Sequence, residues 1–378
     1  MAAQVTSIDH LPNDTVRCIL SKLPVKTLLT LIYVSKSWRA TISATISDPA
    51  FVKTQLQHHS TNSYSLFLRK STFSDHRRTT YDFSLVRARD DDDDDTSFQL
   101  ESSLVCPRPG FNDVLCTCEG VVLLTACSRN SYKAFMLWNP STRKEATFLF
   151  PYKFQHCPAK HGLCYDPVTG DFKVVVACNT HYAVYSCKNK LWSEPRDFPY
   201  SCEMGNSEGL FVDGVIYWVV LDNEEVRSEE IVYFYPSDDS FKKLEKPKSM
   251  IHGSEFDLVV LRGCLCLYTF DIGEIQIWIK EEGEDRIAWT ELMSIESEQD
   301  VWFRPVCSLE NDKILLDLEF DGFVVYNPRE KTFGEEFDYS FDHSSLHVQM
   351  VPCKETLLFP FEDMRRPKRK RSKPLKYE

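Results

Sequence analysis

The sequence predicts an α+β multidomain protein: a small N-terminal three-helix unit followed by an all-β, kelch-like propeller of about six blades. Three observations carry this. Apolar residues recur at helical spacing upstream of Leu56 and at alternating spacing from Tyr64 onward. Downstream, a unit of two apolar runs around a polar turn returns with marker aromatics Trp138, Tyr185, Tyr235, Trp278 and Tyr326, which lie 47, 50, 43 and 48 residues apart. A period of that size with several strands per unit is the signature of propeller blades. The implied organisation is a helical domain over 5–50, a linker helix over 51–63, a β domain over 64–360 and a basic tail over 364–378.

In the helical unit, Val16, Ile19, Leu20 and Leu23 fall at i, i+3, i+4 and i+7 on one helix face. Asn13 or Asp14 is placed to cap that helix. Pro24 ends it, because proline cannot extend the hydrogen-bond ladder and holds Leu23 out of helical angles. A second helix runs from Val25 with Leu28, Leu29, Leu31 and Ile32 on its sides, and a third carries Val34, Trp38 and Ile42 four apart. A unit of roughly 40 residues is near the lower limit at which one core stabilises itself. Leu11, Pro12, Leu23, Pro24, Val25 and Leu28 exceed what so small a bundle can hide, which predicts an apolar patch facing a partner.

The order LPNDTVRCILSKLPVK followed by YVSKSW resembles the F-box, the segment through which many proteins dock on a Skp-family adaptor and, through it, a cullin. Thr15 stands where the family usually has an aliphatic residue, and Tyr33 where cysteine is common. The resemblance implies adaptor contacts from Leu11, Pro12, Leu20, Leu23, Pro24, Val25 and Leu28, around a core of Val16, Ile19, Val34, Trp38 and Ile42.

Composition bounds the rest. A chain of 378 residues that is 43% hydrophobic has room for two or three domains with a packed core. Its net charge of −12 argues against a nucleic-acid partner, which needs a basic face. No stretch approaches the roughly 20 apolar residues that span a bilayer, and MAAQVTSIDH lacks the features of a secretory signal, so no membrane partner is expected. The 14 cysteines scatter through apolar runs such as VVLLTAC and VVVAC and read as reduced, buried thiols.

Along the chain, Asp48-Pro49 opens the linker helix, with Phe51, Val52 and Leu56 on one side. Tyr64, Leu66 and Leu68, then Tyr81, Phe83 and Leu85, begin the alternation. The six carboxylates Asp90 to Asp95 repel one another into a solvated loop. The recurring units are MLWNPSTRKEATF, VYSCKNKLW, VYFYPSDDSFKKL, IQIWIKEEGEDRIAW and VVYNPREKTF, with Tyr165 to Val176 and Gly209 to Val220 as inner strands. Each small sheet has two apolar faces, so neighbours must stack in a ring. A strand near Leu346 to Val351 is expected to pair with the irregular first unit and remove the free edge. CEGVVLL before LWNPSTRK, GLCYDPVTGDFKVV, LFVDGVIYW and LLDLEFDGFVVYNPREKTF resemble, in this order, the F-box-associated domain of plant F-box proteins over about 98–345.

Chemistry is sparse. No phosphate loop, zinc-protease helix or nucleophile elbow is present. His156, Cys157, His161 and Cys164 lack paired Cys-x-x-Cys spacing, so no metal is expected, and no cofactor. Cys116 and Cys118, like Cys264 and Cys266, alternate on one strand face and read as packing. Asp238-Asp239 and Glu281-Glu282 read as turn residues, so no catalytic residue is assigned. The tail carries eight Lys or Arg between Arg365 and Lys376; Arg365, Arg366, Lys368, Arg369, Lys370 and Arg371 read as a nuclear-import signal, which with the absent leader predicts nucleus and cytoplasm.

The function expected is a non-catalytic substrate receptor of a Skp–cullin–F-box ubiquitin ligase, with an unknown protein client. Its rivals are a propeller enzyme such as a glycoside hydrolase, and a nuclear scaffold without ligase association.

Overall fold

The structure, a computed structural model, describes residues 11–58, 64–74, 78–90, 96–126, 134–152, 159–178, 180–203, 208–222, 228–248, 250, 255–269, 274–282, 287–296, 302–318, 322–335 and 345–361. The acidic run beyond Asp90, His156, Cys157 and the whole basic tail lie outside these residues.

Four helices open the chain: α1 (Asn13–Ser21), α2 (Val25–Leu31), α3 (Lys36–Ile46) and α4 (Pro49–His58). Neither Asn13 nor Asp14 caps α1. Pro12 occupies that position in an extended conformation with no side-chain cap, and Asp14 instead sits in the first turn, where its charge favours the helix dipole. Ser35 caps α3, its Oγ accepting from the Trp38 N–H at 3.2 Å. Asp48 starts α4 by accepting from the Ala50 N–H at 2.9 Å, and the Arg17 guanidinium bound to the same carboxyl holds it below the usual carboxylate range.

The helical core contains Val16, Leu20, Val25, Leu28 and Ile42, closed by Phe51 and Val52 of α4 and by Leu357, with Trp38 half-buried against them. Leu357 arrives from the far end of the sequence.

From Tyr64 the chain forms six antiparallel sheets. Blade 1 has strands Tyr64–Ser74, Arg78–Asp90 and Thr96–Leu104, and Ser345–Lys354 completes it by pairing antiparallel with Tyr64–Ser74. The expected closure of the ring by the late strand is therefore present. Blades 2 to 6 begin with inner strands Phe111–Cys118, Ala159–Asp166, Leu210–Val212, Phe256–Leu261 and Arg304–Ser308. Each then runs outward through a meander. The marker aromatics all fall on third strands: Ala134–Asn139, Thr180–Ser186, Glu229–Tyr235, Glu274–Glu282 and Phe323–Asn327. Trp138, Tyr185, Trp278 and Tyr326 are buried there, but Tyr235 is exposed, with Lys242 above its ring at 4.6 Å, because its neighbour Phe234 takes the inward phase.

The turns joining first and second strands carry left-handed residues, such as Glu119-Gly120, Asp213-Gly214 and Arg262-Gly263, as two-residue hairpins demand. Packing explains the ring. Alternate residues of one strand face opposite neighbours: Val174 and Val176 pack with blade 2, while Val175 and Ala177 pack with blade 4. Every blade-to-blade junction has such a cluster, so no sheet is stable without both neighbours.

In an antiparallel meander, first-to-second and third-to-fourth turns share one face of the ring. The helical unit lies on that face: Lys53 and Leu56 of α4 border the central channel beside Glu119, Gly120 and Lys354. The strand ends between consecutive blades, such as Leu149 and Ala159 or Leu244 and Phe256, lie at the opposite face.

Candidate docking surfaces

Among the sequence-predicted adaptor residues, Leu11, Pro12 and Pro24 are exposed and Leu23 is half-buried. Leu20, Val25 and Leu28 are not available on the surface; they are buried in the helical core. The core assignment changes in the opposite sense for two residues, since Ile19 is 49% and Val34 61% exposed, whereas Val16, Trp38 and Ile42 do pack inward. The physical reason is that α4 and Leu357 fill one side of the bundle. The buried stripe of α1 is therefore Val16 and Leu20, and the outer stripe is Pro12, Thr15 and Ile19. Thr15 and Tyr33, the two departures from the F-box pattern, are both exposed.

Leu11, Pro12, Ile19, Pro24 and Val34 are thus open to solvent on a unit whose core is completed by Leu357. Large apolar side chains left open on so small a unit are candidates for a partner surface.

The helical unit is also tied to the ring. The segment after Lys354 crosses blade 2, where Asn139 Nδ2 donates to the carbonyls of Thr356 and Leu358 at 3.0 and 2.7 Å. Between these two, Leu357 enters the helical core, and Leu358 packs against both bodies. Sequence reasoning missed this clasp, for which TLLFPF after the closing strand was the only signal.

The second surface is the channel, a cavity of about 1480 Å³ inside the six inner strands. It is polar where Asp113, Glu208, Arg304, Asp317 and Gln349 face inward. Arg304 donates to Asp317 at 3.0 and 2.8 Å, and Gln349 Nε2 donates to Glu208 Oε1 at 2.9 Å. Nothing in the sequence around Glu208 signalled this position.

Among the described residues, no group of three or more His, Cys, Asp or Glu side chains is placed to hold a metal ion, and no helix is long and apolar enough to cross a membrane. Cys164 is buried beside the Lys173 carbonyl, and desolvation pushes its thiol strongly upward. Cys116 and Cys118 are likewise buried and shifted up by desolvation, as packing thiols are; Cys266 is buried but Cys264 only half so.

The structure is thus a compact helical unit clamped to a six-bladed propeller. Comparison with known families agrees: residues 8–46 match the F-box domain and residues 70–348 the F-box associated beta propeller domain. The chain belongs to this family of F-box substrate-recognition proteins. Similar proteins of Arabidopsis thaliana include the F-box/kelch-repeat protein At3g23880, 26% identical over 86% of this chain and 89% of its own length. F-box protein At4g22390 is 27% identical, covering 65% and 70%, and F-box protein At3g07870 is 22% identical, covering 87% of each chain.

Proposed function

We propose that this protein is the substrate receptor of a Skp–cullin–F-box ubiquitin ligase, binding the adaptor through Leu11, Pro12, Ile19, Pro24 and Val34 and a client protein through the propeller. The observation that carries this is the exposed aliphatic surface on a helical unit that already has a complete core. Such a receptor raises the effective concentration of a client lysine near the charged conjugating enzyme. The rate gain comes from placement, so the receptor needs geometry and supplies no nucleophile, metal or cofactor. A rigid clasp between the docking unit and the ring suits that task, since a swinging propeller would dilute the gain.

The client face in this reading is the one with the blade-to-blade connections, away from the helical unit. The basic tail, outside the described residues, serves as an import signal and gives the complex access to the nucleus as well as the cytoplasm. The experiment is co-purification of the full chain with a Skp-family adaptor and cullin, beside a Leu11→Asp, Ile19→Asp double variant. Wild type retains both partners; the double variant loses them at an unchanged melting temperature. A wild-type chain that never retains the adaptor, or a double variant that retains it fully, overturns the reading.

A further inference from the structure

Of the two cations whose charge acts on Glu208, Arg304 is held by Asp317, and Arg69 reaches Asp113 at 3.4 Å while lying 5.0 Å from the Tyr81 ring. Glu208 differs. Its hydrogen-bond partner is the neutral amide of Gln349, and among the described residues it forms no ion pair. It lines the channel and is half-buried there. A carboxylate so placed is costly to ionise without a counter-ion.

Its position gives a direction. Glu208 lies two residues before the inner strand of blade 4 and Arg304 begins that of blade 6, so both lie toward the end of the channel away from the helical unit. The partly buried Val306 and Val348 line the same cavity and could cover an alkyl stem.

We propose that this end of the channel takes the cationic side chain of a client protein, a lysine or arginine inserted from the face opposite the helical unit, with Glu208 as its counter-ion. The proposal rests on the receptor reading for the identity of the guest as a client. Gln349 orients the carboxylate, its Nε2 also bonding the Val114 carbonyl at 3.2 Å. Binding is pH-dependent because the guest requires the ionised form. Burial, the largest influence, pushes the Glu208 pKa up to about 7; Arg304 draws it down, Asp257 pushes it up, and Gln349 and Arg69 draw it down. The Cys116 thiol of blade 2 also faces it, and on blade 3 the backbone of His161 pairs with Glu208.

The test is titration of the full chain with capped Gly-Arg-Gly, and with capped Gly-Gln-Gly as the uncharged control, at pH 6 and pH 8. With a pKa of about 7 the ionised fraction rises from about one-eleventh to ten-elevenths, so the arginine peptide binds roughly tenfold tighter at pH 8. The glutamine peptide binds at neither pH. Glu208→Gln removes the pH dependence and weakens arginine-peptide binding at pH 8, with folding checked by its melting curve. A wild-type chain that ignores millimolar arginine peptide, binds both peptides alike, or binds equally at the two pH values overturns the proposal, whatever the variant does. Adaptor co-purification in parallel separates the two ideas: loss of the adaptor with retained peptide binding sinks the receptor reading and leaves the cation site standing.

Discussion

Replacing Asn139 by alanine should loosen the docking unit from the ring. Asn139 is fully buried at the end of the third strand of blade 2 and makes three bonds: two donated to the carbonyls of Thr356 and Leu358, and one accepted from the Thr142 N–H at 2.8 Å. Alanine strands two carbonyls at about 1–3 kcal/mol each, and because Leu358 is only half-buried, water relieves part of that. The expected loss is about 2–4 kcal/mol. Asn139→Asp should be worse, since it keeps the acceptor for Thr142 but turns an anionic oxygen toward two carbonyls. Urea unfolding gives the magnitude, and amide exchange places it: faster exchange should appear at residues 356–361, α1 and α4 before the blades respond. If both variants unfold at the wild-type midpoint, with exchange over 356–361 unchanged, the clasp does not hold the two bodies together.

Leu20→Asp should collapse the helical unit by burying a charge, whereas Ile19→Asp on the adjoining outer face should shift the melting temperature little while removing adaptor binding; circular dichroism and pulldown together check both. Gly162→Ala should destabilise the junction of blades 3 and 4 by about 1–3 kcal/mol, because its Cβ would collide with the Trp218 ring and Ile216; a thermal melt reads it. The raised Glu208 pKa means the folded state binds more protons between the ordinary value of 4.5 and about 7, so stability falls as pH rises through that window. The cost above it is on the order of 3 kcal/mol, and Glu208→Gln should flatten the profile in denaturant titrations across pH 4 to 8. Among the described cysteines, a thiol reagent under native conditions should label Cys18 quickly, Cys106 and Cys264 slowly, and buried positions such as Cys116 and Cys307 only on unfolding.

Much of the architecture was legible because it is written locally. The polar turns and their preceding aromatics locate every third strand of blades 2 to 6, and alternation on both faces demands stacked neighbours. What stayed hidden depends on long-range partners. A helical stripe specifies that a face is buried but not which residues at its margin stay outside; that phase was set by Phe51, Val52 and the distant Leu357, so Ile19 and Val34 lie outside while Leu20, Val25 and Leu28 lie inside. Tyr235 misled for a similar reason, since a marker defined by its turn need not share the strand's inward phase. Glu208 precedes a strand of only three residues and acquires its character from blades 1, 5 and 6.

The splice between Ser345–Lys354 and Tyr64–Ser74 has a consequence for biogenesis. A ribosome must deliver every residue through Lys354 before the circle can lock, and the segment just after it then hands Leu357 to the helices made first. A product truncated before that point offers a docking unit with a hole in it.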